Sequence, residues 1–169
     1  MYKEQLLQNM QREIDLLKQL APVIKESDLH FRPHEKVRST LELMQYLSGL
    51  GAVMMRWLVK NDITPEDWVK IREYRSSLTK ENFIERLDQQ SKDIAAYFNM
   101  ITDEDLITKD AILPSKETMK LGAAIINAPI KWMACYRMQL FLNLKINGNV
   151  DLGTKDAWIM AEVPAEVKA

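Results

Sequence analysis

Only two histidines occur in this sequence, His30 and His34, spaced i, i+4. On a helix that spacing would turn both imidazoles toward one metal ion. Pro33 lies between them and disfavours the helix they would need. A third ligand would have to come from Glu35 or Glu42, and the plainer reading is of two loop histidines at the mouth of a helical domain. No Cys-x-x-Cys or His-Glu-x-x-His pattern is present, and no Glu-x-x-His pair that a di-iron carboxylate site would use. The single cysteine, Cys135, falls mid-helix between Ala134 and Tyr136, far from any helix N-terminus that would activate it, and reads as a buried, inert thiol. Neither a Gly-x-Ser-x-Gly turn nor a phosphate-cradling glycine loop occurs, so serine hydrolase and nucleotide-binding readings lack support. The aromatics carry more. Trp132 and Tyr136 share one helix face at i, i+4, and Tyr46 lies on the side of Leu43, Leu50 and Trp57. If those helices pair, a cluster with hydroxyl handles lines an inner cavity or packs the core. Phenol and indole are poor ligands for a catalytic divalent metal, which takes imidazole, thiolate or carboxylate.

The elements that would position these residues are helical. Leu6, Met10, Leu17, Leu20 and Ile24 recur near a 3.6-residue period, predicting an amphipathic helix over about residues 2–21 that stops at Pro22. A second helix is predicted over 36–60, with Val37, Leu41, Met44, Leu47, Met54 and Leu58 as its stripe. Its Gly49 and Gly51 cost helix propensity and suggest close approach of another backbone, from a neighbouring helix or a second subunit. Thr64 and Pro65 read as the cap and first turn of a short extra helix reaching about Tyr74. A third long helix is capped at Thr79 and carries Phe83, Leu87, Ile94, Phe98 and Ile101 inward. The fourth is predicted over 116–147, apolar around most of its circumference, bent at Pro129 and stopped by Asn147-Gly148-Asn149. Trp158, Ile159 and Met160 are expected to pack back, and 164–169 to fray.

Long helices with short connections imply antiparallel neighbours, hence one all-α domain over 1–169, an up-down-up-down four-helix bundle. With 47% hydrophobic residues the chain can bury a sizeable core, and five glycines and six prolines argue against a loop-rich or all-β fold. Lys and Arg number 23 against 24 Asp and Glu, a net charge of -1, with no basic stripe of a nucleic-acid binder. The start of the chain lacks the apolar core of a secretion signal, and the longest apolar stretch, 121–144, is interrupted by Asn127, Lys131, Arg137, Gln139 and Asn143. These features, with the lone cysteine, predict a cytoplasmic protein that neither spans a membrane nor binds nucleic acid.

The run Phe31-Arg32-Pro33-His34-Glu35-Lys36-Val37-Arg38-Ser39-Thr40 leading into a helix resembles the DinB superfamily of DinB/YfiT-like bundles. Tyr136-Arg137-Met138-Gln139 with Gly148 behind it is similar to that family's His-Arg-Gly-Gln and trailing glycine. Thr102-Asp103-Glu104-Asp105-Leu106 and the stretch from Asn149 to Trp158 are similar too, so the resemblance covers nearly the whole chain. It implies one histidine on helix two and an i, i+4 pair on helix four, holding zinc or nickel with positions open for water or a thiol. Those positions fall here on Tyr46 (Gln45 after a one-residue slip), Trp132 and Tyr136. The fold is therefore expected to transfer while the metal chemistry does not, and no cofactor is expected. What the resemblance leaves is a non-catalytic pocket for a small molecule or a partner, walled by Tyr46, Trp132 and Tyr136, with Gln45, His34, Arg137 and Gln139 as polar contacts. Arg137 reads equally well as a salt-bridged structural residue. The alternatives are a hydrolase or thiol transferase with an altered metal site, and a structural homodimer, a pairing that the resemblance also implies.

Overall fold

A computed structural model describes residues 2–160 and is predominantly helical. Helix α1 (Tyr2–Leu20) buries Leu6, Met10, Ile14, Leu17 and Leu20 along one face, as its periodicity predicts. The stretch predicted as one second helix is two. Ser39 caps α2 (Thr40–Leu47): its hydroxyl accepts from the Glu42 N–H, and the Glu42 carboxylate accepts from the Ser39 N–H. That reciprocal cap starts the helix four residues later than expected, leaving 36–39 in the loop. The chain breaks at Ser48-Gly49 and resumes as α3 (Leu50–Val59).

The break is held by one residue. Gln90 is 1% exposed; its Oε1 accepts from the Gly51 N–H at 2.7 Å, and its Nε2 donates to the Leu47 carbonyl at 2.9 Å. It thereby satisfies a donor freed at the start of α3 and a carbonyl freed at the end of α2. Gly51 is small for a reason inside the chain. A Cβ there would lie 2.7 Å from Met133 Sδ and 2.9 Å from Ile94 Cδ1. A Cβ at Gly49 would meet nothing within 4 Å, so this glycine marks open space.

Helix α4 (Pro65–Ser76) starts where the Thr64-Pro65 signal puts it, and Thr64 and Asp67 form a capping box. None of its residues is buried. α5 (Phe83–Asn99) carries the expected stripe of Phe83, Leu87, Ile94 and Phe98, with Gln90 set in it. A short α6 (Asp103–Thr108) precedes a hairpin of β1 (Asp110–Ile112) and β2 (Thr118–Lys120), where Ala111 faces Met119. The predicted fourth helix therefore begins later, as α7 (Leu121–Ile125). A wide turn over Ile126–Ile130 accommodates Pro129, whose missing N–H breaks the regular ladder, and α8 (Lys131–Ile146) continues to the stop at Asn147-Gly148. A last helix, α9 (Thr154–Trp158), docks through Ala157, with Leu152 just ahead of it buried, while Trp158 and Ile159 stay about half exposed. The segment 164–169 lies outside the described residues.

The core forms where α1 packs on α5 and α8, α2 on α8, and α3 on α5. Lys3 Nζ donates to the Ile101 carbonyl while Lys18 meets Asp88, so α1 and α5 are antiparallel. Leu47 lies by Gln90 and Gly51 by Ile94, so α2–α3 and α5 run the same way. Tyr2 approaches Gly122 and Glu13 bonds Arg137, so α1 and α7–α8 are parallel. The direction order is up, down, down, up, not the alternating order expected. The reason is α4: its first turn bonds Arg56 near the end of α3 and its last turn reaches Tyr46 on α2, so it carries the chain back along the outside before α5 descends. Among the described residues no helix is long and apolar enough to cross a membrane.

Candidate functional site

Tyr46 and Tyr136 meet as the sequence suggests. Their ring centroids are 4.9 Å apart at 73°, an edge-to-face pair between α2 and α8. Both rings also face cations. The Arg38 guanidinium lies 4.4 Å from the Tyr46 centroid and 5.2 Å from that of Tyr136, and the Arg75 guanidinium lies 4.8 Å from that of Tyr46. Arg38, Glu42, Gln45, Tyr46, Arg72, Arg75 and Ser76 line an open groove of about 380 Å³ between α2 and α4.

The groove carries excess positive charge. Glu42 is engaged by Arg32 at 3.0 Å and by its capping role; the Ser39 N–H, then Arg32, holds its carboxyl below the ordinary value. Among the described residues no carboxylate pairs with Arg38, Arg72 or Arg75. Among the described residues only two buried side-chain polar atoms lack a hydrogen-bond partner, Thr40 Oγ1 and, in the groove, Arg75 Nε. Burial lowers the Arg75 pKa from its ordinary value; Tyr46 pushes it up and the like charge of Arg38 lowers it further. Burial raises the Tyr46 phenol, Tyr136 adds to that, and the two arginines oppose it. The phenol is thus a neutral O–H donor at neutral pH, beside guanidinium donors.

A second space adjoins the first. α4 stands off α3 and α5 over a cleft of about 320 Å³ lined by Gly49, Ala52, Val53, Ile71, Tyr74 and Tyr97 among others. The open space at Gly49 is part of it, and Arg75 borders both cleft and groove.

The other sequence candidates lie elsewhere. Trp132 is half-buried against the core one turn before Tyr136, with no ring contact to Tyr46 or Tyr136 among the described residues. His34 is exposed in the loop, where its Nδ1 accepts from the Lys36 N–H at 3.2 Å, and His30 is exposed too. Gln139 does not line the groove. Arg137 is fully buried on the opposite side: its Nε donates to Glu13 Oε2 at 2.7 Å, its Nη1 to the Ala157 carbonyl, and Trp158 covers it at 4.8 Å. It is the salt-bridged structural residue of the two readings. Cys135, expected to be buried, is exposed because its face of α8 points away from the neighbouring helices. Sequence reasoning missed Arg72 and Arg75, though their i, i+3 spacing on α4 was available as a sign of two cations on one face.

A divalent metal does not fit this donor set. Among the described residues no group of three or more His, Cys, Asp or Glu side chains is placed to hold one. At Tyr46 and Tyr136 a guanidinium already faces both rings, so an added cation would meet like charge, no imidazole, and one carboxylate, Glu42, already held by Arg32. The arrangement suits the reverse task, holding an anion through charge-assisted hydrogen bonds. The chain matches no known family model and no curated protein sequence.

Proposed function

We propose that this chain is a DinB-like four-helix bundle in which α1, α2–α3, α5 and α7–α8 are the four members, and that it acts as a non-catalytic binding protein for a small molecule. The observation that carries the reading is the meeting of Tyr46 and Tyr136, at the positions where the resemblance puts metal ligands, beside a lined groove and two ring-facing guanidiniums that have no carboxylate partner among the described residues. Arginine and tyrosine offer donors and aromatic faces, while the one carboxylate lining the groove, that of Glu42, is held by Arg32 and the Ser39 N–H, and the Ser76 hydroxyl donates to the Glu73 carbonyl. The reading of a hydrolase or thiol transferase gains nothing from His30 and His34, which are exposed loop residues. The glycine argument for a homodimer weakens, because Gly51 makes room for Ile94 and Met133 of its own chain. A cytoplasmic setting suits an exposed, unpaired Cys135.

The test is a ligand screen by thermal shift on the purified protein and its Tyr46→Phe and Tyr136→Phe variants, alongside elemental analysis. Ligands that raise the Tm of the parent, with chemical-shift changes centred on α2 and α4, are expected. Stoichiometric zinc or nickel held by the parent and released by the phenylalanine variants would overturn the reading.

A further inference from the structure

Building on that reading, we infer that the arginine groove and the cleft beneath α4 are one site, for an amphipathic oxyanion whose carboxylate or phosphate sits on Arg38, Arg72 and Arg75 and whose apolar body lies under α4. Three observations converge on it. The first is uncompensated charge: three guanidiniums border the groove, and the only carboxylate among them, that of Glu42, is committed to Arg32 and the Ser39 N–H. Charge left this way normally meets an anion, since guanidinium forks match the two oxygens of a carboxylate or phosphate.

The second is the orphaned donor. Arg75 Nε is out of contact with water and bonds nothing, one of only two such buried side-chain polar atoms among the described residues, and this costs free energy. Its charge is costly there for the same reason: burial and the like charge of Arg38 both act against it. An anion head group would offset the two costs together. Tyr46 adds a neutral phenol donor, and Gln45 and Ser76 add polar edges.

The third is the adjoining apolar space. α4 buries none of its residues yet bridges a cleft walled by Ala52, Val53, Ile71, Tyr74 and Tyr97. Gly49 leaves that wall open where any side chain would begin to fill it. At about 30 Å³ for each water-sized unit, the cleft's 320 Å³ holds a body of roughly ten non-hydrogen atoms. Arg75 is the residue that borders both spaces, so it sets where head and body join. Lys70 and Arg56 against Asp67 and Asp93 leave the cleft itself near neutral, which places the selective charge at the arginine end.

Calorimetric titrations with octanoate, octyl phosphate, octanol and inorganic phosphate test this on the full chain. Octanoate and octyl phosphate are expected to bind saturably, and the stronger of the two identifies the head group. Octanol and inorganic phosphate, each lacking one half, should bind at least about tenfold more weakly. Arg75→Gln should weaken the anions about tenfold, and Arg75→Lys, which keeps charge but loses the fork, should fall between. Val53→Trp should fill the cleft and weaken octanoate while leaving inorganic phosphate unchanged. Equal binding of octanol and octanoate, unmoved by Arg75→Gln, overturns the anion site but leaves a small-molecule pocket standing. Inorganic phosphate binding as tightly as octyl phosphate overturns the joined site. No saturable binding of either amphipathic anion at millimolar concentration overturns the inference outright, whereas the proposed binding role falls only with the metal result above.

Discussion

Two arginines on opposite sides of the helical core have opposite fates. Arg137 on α8 is fully buried and answered: Glu13 of α1 takes its Nε, the Ala157 carbonyl takes its Nη1, and the Trp158 ring covers it. Arg75 on α4 is half-buried and has no carboxylate partner among the described residues: it faces the Tyr46 ring, with Arg38 for a neighbour and its Nε without a hydrogen-bond partner. A buried cation with a complete set of partners holds a fold in register, whereas one without them is a cost that binding can repay. The same side-chain type therefore marks architecture on one face and the candidate site on the other.

The most damaging way to probe the contrast is at Arg137. Arg137→Met keeps the apolar stem but strands the Glu13 carboxylate, 14% exposed, and frees the tail at Ala157. Breaking one side of such a pair costs roughly 3–5 kcal/mol. Urea unfolding should show that loss as a lower midpoint, and Trp158 fluorescence should report the released α9. A midpoint within experimental error of the parent would mean that the pair does not hold the tail.

Arg75→Met should behave in the opposite manner. With no charged partner to strand, the substitution removes a charge held at a cost, and unliganded stability should change by no more than about 1 kcal/mol, in either direction. The same urea experiment reads it. A loss as large as that of Arg137→Met would show that Arg75 is structural, and would erase the distinction between the two faces.

The sequence made this contrast only half legible. Periodicity located α1 and α5 because their stripes, Leu6 to Leu20 and Phe83 to Phe98, are long and regular. Thr64-Pro65 located α4 because caps are local chemistry. Periodicity cannot report a break bridged by a distant side chain, so α2 and α3 read as one helix until Gln90 of α5 is seen between them. Nor can it separate strand from helix in three residues, which hid β2. The direction order was lost because α4 was read as an insertion, although it is the element that returns the chain. Tyr46 and Tyr136 were legible as partners through the resemblance. Arg72 and Arg75 were not, because a helix that buries nothing gives its side chains no pattern by which to choose among exposed charges.

The smallest expected effect concerns how α4 holds Arg75 in place. Asp67 accepts from the Thr64 N–H at 3.1 Å and hydroxyl at 3.0 Å and from Arg56 at 2.9 Å. The Thr64 N–H first, then Arg56, draws the Asp67 carboxyl down to about 2. Asp62, also bonded to Arg56, is lowered in the same direction. A carboxylate whose folded pKa lies below its unfolded value favours the folded form. Its contribution is complete above the unfolded value of 3.8 and is lost as the pH falls toward 2. Acid in that window should therefore loosen the start of α4. Amide exchange should rise at Asp67, Trp68 and Val69 while the amides of α1 and α8 around Glu13 and Arg137 stay protected. Asp67→Asn, uncharged at every pH, should give faster exchange at neutral pH and a flatter acid response. If the α4 amides keep their protection down to pH 2 in the parent, the anchor is not electrostatic, and Arg75 is held in the groove by something other than this cap.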